Sequence, residues 1–168
     1  MMDVLEAIYS RRSIRTFTAD TVSRNHILEV LKAGSWAPSG LNNQPWRFVV
    51  VSDPQLRAEL AKLTRYRHVL EGAPVAIAVF CDRAAMYNDV KDHQGIGACL
   101  QNMLLAAHAL GLGAVWLGEI LKNASRVREL LELPEGEELM AVVALGHPAD
   151  RDQRSSRKNL EDLILKEL

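Results

Sequence analysis

Asp92-His93-Gln94-Gly95-Ile96-Gly97-Ala98-Cys99-Leu100-Gln101-Asn102-Met103-Leu104-Leu105-Ala106-Ala107 is the stretch on which the fold turns. Taken as glycine-rich, it offers Gly95-x-Gly97, the start of the Gly-x-Gly-x-x-Gly turn that sets a dinucleotide pyrophosphate on a helix N-terminus. Taken by periodicity, Ile96, Leu100, Met103, Leu104 and Ala107 recur at helical spacing and form one apolar face. The periodicity governs. Leu100 stands where the third glycine belongs, and both glycines fall inside the helix, not between a strand and a helix. Their small size then serves close approach of this helix to a neighbour. Asp92 reads as its N-cap and Gly111 or Gly113 as its stop.

Around this helix the other elements follow with short joints. Val4, Leu5 and Ile8 make a first helical stripe. Ser23 caps a second helix with Ile27, Leu28, Val30 and Leu31 as its buried face and Gly34 as its end. Arg47 to Ser52, Val75 to Phe80, Ala114 to Leu117 and Leu139 to Leu145 are apolar runs of strand length. Asp53 and Pro54 open a short helix carrying Leu56, Leu60 and Leu63, Ser125 starts another through Leu131, and the tail closes in a small helix around Leu160, Leu163 and Ile164. Strands alternating with helices make an α/β or α+β sandwich. The alternation alone points to a parallel doubly wound sheet, although its dinucleotide version lacks the glycine fingerprint.

The chain of 168 residues fits one domain, 1–168, large enough for a hydrophobic core. A net charge of −1 gives no basic excess for nucleic acid or an anionic membrane surface. No run approaches the roughly 20 apolar residues of a membrane span. Met1 to Tyr9, with acidic Asp3 and Glu6, does not read as a secretory leader. Cys81 and Cys99 lie apart in apolar runs, which suits buried reduced thiols in the cytoplasm better than a disulfide or a metal site.

Four segments carry chemistry. Ser10-Arg11-Arg12-Ser13-Ile14-Arg15 crowds three guanidinium groups at a helix end. Such forks suit phosphate oxygens, and a bound dianion would offset their repulsion; a solvated basic helix end is the alternative. Ser35 to Phe48 sets Ser39, Asn42, Asn43 and Gln44 between Trp36 and Trp46 and stiffens them with Pro38 and Pro45. These amides offer donors and acceptors to a heterocycle edge or to sugar hydroxyls, where a purely structural loop would be a rigid turn. Gly118, after a strand, admits a backbone N–H close to a flat ring, and Gln101 and Asn102 interrupt the apolar helix as network or ligand residues. Arg151, Arg154, Arg157 and Lys158 form a basic cluster after the last strand, either a solvated charge run or an anion site. His68, His93 and His108 follow no catalytic pattern, and surface or capping roles suit them.

The order of these motifs resembles the nitroreductase family of FMN proteins over about residues 2–165: Arg-Arg-Ser-x-Arg, then Ala-Pro-Ser-x-x-Asn-x-Gln-Pro-Trp, then Gln-Asn-Met-Leu-Leu-Ala-Ala-x-x-Leu-Gly-Leu-Gly, then the basic cluster. The resemblance implies an α+β fold with a largely antiparallel sheet flanked by helices, in place of the parallel sheet. It implies an intertwined homodimer with FMN at the interface. Arg11, Arg12, Ser13 and Arg15 would hold the phosphate and part of the ribityl or pyrimidine edge. Pro38, Ser39, Asn42 and Gln44 would reach the flavin from the partner chain. Leu117 and Gly118 would lie against the ring with the Gly118 N–H near N5, and Arg157 would return to the phosphate with Arg154 or Lys158 helping. Two departures stand out: Ser155 occupies a position that is basic in many relatives, and the joint 82–91 is brief where relatives place an excursion over the active site.

The implied activity is ping-pong transfer of hydride from NAD(P)H through FMN to a small electrophile, nitroaromatic or quinone-like. No side-chain acid or base is obligatory, since the cofactor supplies the chemistry. Arg15 is the candidate charge at the pyrimidine edge. FMN storage or sensing without turnover, flavin fragmentation, reductive dehalogenation and anion or RNA binding are the competing functions. Neither the acceptor nor the choice between NADH and NADPH is legible in the residues.

Overall fold

The computed structural model describes residues 2–168; Met1 lies outside them. Four strands, β1 (Trp46–Val51), β2 (Val75–Asp82), β3 (Gly113–Leu117) and β4 (Glu137–Gly146), form one sheet in the order β1-β2-β4-β3, and every neighbouring pair is antiparallel. The parallel arrangement suggested by alternation is therefore wrong. Alternation does not encode direction. The excursion over residues 52–74 carries two short helices and returns the chain to the end it left, so that Val51, at the end of β1, pairs with Ala76 near the start of β2.

The described residues form six α-helices, α1 (Val4–Ser10), α2 (Arg24–Ser35), α3 (Pro54–Ala61), α4 (Arg67–Gly72), α5 (Asp89–Ala109) and α6 (Ala124–Leu130); α2 and α5 cover one face of the sheet, α3, α4 and α6 the other, and α1 lies against α5. Side chains alternate across a strand. On one face Val75, Ile77, Val79 and Cys81 of β2 pack with Val30 of α2 and with Ile96, Cys99, Leu100 and Met103 of α5. On the other, Ala76, Ala78 and Phe80 pack with Leu60, Val69, Leu70 and Val127 of α3, α4 and α6. A bulge in the β2–β4 pairing falls between Val79 and Phe80.

Several boundaries differ from the sequence reading. Helix α5 starts four residues earlier than expected, because Asn88, not Asp92, is the N-cap and its side chain accepts from the Lys91 N–H. Asp92 lies inside the helix, 1% exposed. Of the expected α2 face, Ile27 and Val30 are buried while Leu28 is exposed: the inward stripe continues to Gly34, and Leu28, one position on from Ile27, falls beside it. Gly34 does not end α2 but sits within it. A Cβ there would come within 2.7 Å of Met103 Cγ, so this glycine permits the close approach of α2 to α5. α4 escapes the periodicity because it offers only Val69 and Leu70 as buried residues. The tail forms a single 3-10 turn, Leu160–Leu163, exposed along its length, and not an α-helix. Both cysteines are free and buried.

Candidate functional site

The N-terminal arginines are placed by the sheet edge. Beyond α1 the chain runs beside β3, with the Ile14 N–H donating to the Ala114 carbonyl at 3.1 Å. A Cβ on Gly113 would stand 2.8 Å from the Ile14 side chain, so only glycine lets the segment lie so close. The segment after β4 comes alongside in turn: Thr18 N–H donates to the His147 carbonyl at 2.9 Å, Ala149 N–H to the Thr16 carbonyl at 3.0 Å, and Thr16 Oγ1 to Asp150 at 2.8 Å. Arg151 donates to the Gly111 carbonyl at 2.6 Å. Two basic segments more than a hundred residues apart in sequence thus meet.

Where they meet there is a cavity of about 400 Å³ lined by Arg11, Arg12, Ser13, Arg15, Gln153, Arg154, Ser155 and Arg157. Nε and Nη1 of Arg11 and Nε of Arg12 are buried and find no protein acceptor. Burial lowers the Arg11 pKa from its ordinary value, and the nearby Arg157 and Arg12 charges lower it further. Buried donors on a crowded set of cations call for an anion that accepts several hydrogen bonds at once. A phosphate monoester does so. Gln153 escaped the sequence reading because a single amide in a charged tail carries no local signal. It reaches the cavity only through the pairing of residues 148–150 with 16–18, and its side chain donates to Asp150. Arg154 and Ser155 also line this cavity, whereas Lys158 does not.

Beside the cavity, Ser10 Oγ lies 2.8 Å from His108 Nε2. Burial lowers the His108 pKa, and Arg151, Arg11 and Arg12 lower it further.

The amide loop lies elsewhere in the chain. Pro38 and Ser39 line a cleft of about 340 Å³ with Gly40, Tyr87, Lys91, Gln94, Gly95 and Ala98; Asn42 and Gln44 are exposed nearby in sequence but do not line it. Leu41, Asn42 and Gln44 have φ of 54°, 56° and 48°, the left-handed region that L side chains avoid. Ser39 Oγ braces them by accepting from the Gln44 N–H at 3.1 Å. Asn43 Nδ2 donates to Asp92 Oδ1 at 2.6 Å and to the Ala85 carbonyl at 3.0 Å. Asp92 Oδ2 accepts from the Tyr87 N–H at 2.9 Å and the Asn88 N–H at 2.8 Å. Burial pushes the Asp92 pKa up, but the bonds from Asn88, Asn43 and Tyr87, with the nearby His93, outweigh it and hold the carboxyl below its ordinary value.

Leu117 is 3% exposed, its side chain packed in the core with Val115, Ile120 and Val142. Gly118 follows it, exposed, with φ −93°. A Cβ there would meet nothing closer than Trp116 Nε1 at 3.9 Å, so the fold of one chain does not demand a glycine. Glu119 next to it accepts from Thr64 Oγ1 at 2.7 Å and the Arg65 N–H at 3.0 Å, and it pairs with Lys122. Lys122 first, then these two donors, hold its pKa down to about 2. Asn102 is structural, donating to the Ala33 carbonyl of α2 at 3.2 Å; Gln101 is exposed.

One chain thus presents an arginine cavity and a separate amide loop. The nitroreductase family profile matches residues 8–66 and 62–147. A Desulfovibrio desulfuricans protein described as a nitroreductase and solved in complex with FMN superposes with a TM-score of 0.94 at 54% identity, covering 98% of this chain and 96% of that one. An Archaeoglobus fulgidus protein described as an NADH dehydrogenase/NAD(P)H nitroreductase is 38% identical over 153 residues, 89% of this chain and 88% of the relative. The NADPH-flavin oxidoreductase of Vibrio harveyi is 35% identical over 88% of this chain and 67% of its own length. The chain belongs to the nitroreductase family, and its antiparallel α+β fold is that of its structural neighbours.

Proposed function

We propose that this chain holds FMN and uses it to pass electrons from NAD(P)H to a small electrophile of the nitroaromatic or quinone type by a ping-pong cycle. The observation that carries the proposal is the arginine cavity, two of whose lining residues, Arg11 and Arg12, hold three buried guanidinium nitrogens without an acceptor. They suit the terminal phosphate of FMN, with Ser13, Arg154 and Arg157 around them and Arg15 toward the pyrimidine edge. When bound, FMN supplies the two-electron hydride chemistry. The protein supplies orientation, charge and exclusion of water. Ser155 stands at the cavity where the family resemblance implies a cation, and Arg154, which also lines it, would take that place.

The reading is dimeric. Pro38, Ser39, Asn42 and Gln44 would reach the cofactor from a second copy, and so complete a site that one chain leaves divided. Exposed apolar surface favours such a partner: Trp36 is 80% exposed and Leu41 85%. The backbone at Leu117 and Gly118 would face the ring, where the absent side chain of Gly118 leaves room. Two free, buried thiols suit a reducing cytoplasm. A visible spectrum of the purified protein before and after anaerobic NADH or NADPH tests the function. Flavin bands that bleach with the donor support it. A bound flavin that no donor reduces leaves binding without turnover, and no flavin uptake at all ends the proposal. Sedimentation as a monomer with FMN fully bound would contradict the shared site.

A further inference from the structure

We propose that Asp92 is a positioning residue for the cofactor-contact loop, acting through Asn43. The inference rests on the FMN reading above and goes beyond it, because Asp92 touches neither the arginine cavity nor the amides assigned to the cofactor.

Asp92 is the one buried carboxyl among the described residues, 1% exposed, and it pairs with no cation. A carboxylate placed so is costly unless its oxygens are well satisfied. Its three donors come from two separate places: Asn43 in the middle of the amide loop, and the Tyr87 and Asn88 backbone in the joint that leads into α5. Helix α5 does not need Asp92 as its cap, since Asn88 fills that role.

The loop needs the tie. Three of its residues, Leu41, Asn42 and Gln44, hold left-handed backbone, and Asn42 and Gln44 are the amides offered to the cofactor. Apart from the bonds that Ser39 and Asn42 accept from the adjoining Gln44, hydrogen bonds of residues 39–43 to the rest of the described chain run through Asn43 alone, to Ala85 and Asp92. Asn43 stands between Asn42 and Gln44, so fixing its side chain fixes the peptide planes on either side. The joint also presses on the loop directly: a Cβ on Gly40 would fall 2.0 Å from the Tyr87 hydroxyl oxygen. Because a carboxylate only accepts, it also decides which way the Asn43 amide faces. Nδ2 points to Asp92, and Oδ1 is left buried without a partner. The brief joint 82–91 thereby serves as a brace for the loop.

The experiment is titration of FMN into apo-protein, followed by flavin fluorescence, for wild type, Asp92→Asn, Asn43→Ala and the double variant, with thermal unfolding of each apo form. Each single substitution raises the FMN Kd at least about tenfold, the scale of one lost charge-assisted bond. The double variant is no more than about threefold weaker than the worse single one, because both break the same link. Apo Asn43→Ala loses a few degrees of Tm, because the buried Asp92 keeps only its two backbone donors, but it stays folded at the titration temperature and carries the test if Asp92→Asn does not fold. Variants that lose Tm yet bind FMN within about twofold of wild type overturn the proposal, as do losses that multiply in the double variant. Wild-type protein that takes up no FMN overturns the functional reading and this proposal together; wild type that binds while the variants match it overturns this proposal alone.

Discussion

Replacing Arg11 with Met keeps the apolar stem and removes the two guanidinium nitrogens that lie buried without an acceptor. If those nitrogens hold a phosphate, each loses a charge-assisted hydrogen bond of about 1.5–3 kcal/mol. Bonds from one guanidinium are not additive, so we take the lower end of their sum, about 3 kcal/mol, or a rise of roughly 100-fold in the FMN Kd. Thermal unfolding turns this into a visible difference. With FMN at about 100 times the wild-type Kd, linkage stabilises the wild type by roughly 2.7 kcal/mol. For a chain of this size that is a rise of about 5–10 °C in Tm. At the same FMN concentration Arg11→Met gains about 0.4 kcal/mol, close to 1 °C. The apo forms should differ the other way. Burial lowers the Arg11 pKa first and repulsion from Arg157 and Arg12 lowers it further, so the side chain stands in the apo-protein as a desolvated cation among cations. Its loss leaves the apo Tm equal or higher. An Arg11→Met protein that binds FMN within about threefold of wild type refutes the phosphate assignment. An apo Tm several degrees lower refutes the view that Arg11 serves binding at the expense of stability.

Two further outcomes follow from the geometry. Gly113→Ala sets a Cβ 2.8 Å from Ile14 Cβ and Cγ2. Overpacking of this kind costs about 1–3 kcal/mol and displaces the segment that carries Arg11 to Arg15, so Tm falls and the FMN Kd rises; unchanged values of both would show that the edge gives way freely. Glu119→Gln removes a carboxyl whose pKa is held down to about 2 by Lys122, Thr64 and Arg65. A carboxyl depressed in the folded state contributes stability above its ordinary value of 4.5, and loses that contribution as pH falls from there toward 2. The Tm gap between wild type and Glu119→Gln is therefore full at pH 6 and narrows below about pH 4.5; a gap constant down to about pH 3 would show that the ion pair contributes nothing through ionisation.

The arginine cluster was legible as a candidate anion site because guanidinium chemistry is a property of residue type, but three such residues within five positions suit a solvated basic helix end as well, and it is the tertiary structure that sets them round a cavity with Arg154 and Arg157. The amide loop was legible as a candidate for the same reason; its left-handed backbone at Leu41, Asn42 and Gln44 was not, because residue type there does not announce it. Gln153 and Asp92 were not legible as site residues. One is an amide in a charged tail and the other an acidic residue near a helix start, and each has its role only because a distant segment packs against it: Thr16 to Thr18 beside the tail, and Asn43 beside α5. Leu28 was misplaced for a related reason. Its spacing admits burial, but the stripe that meets α5 runs through Ile27, Val30 and Gly34.

Periodicity and side-chain chemistry, both short-range, settled where most helices and all four strands form and which residue types could serve an anion or a heterocycle. Strand direction was beyond them, because β1 and β2 read as the same apolar runs in either orientation, and only the path of residues 52–74 over one face makes them antiparallel. The meeting of Arg11 with Arg157, and of Asn43 with Asp92, was beyond them as well. Such contacts are chosen by packing across the whole chain, where each backbone donor and each buried charge must find its partner at long range.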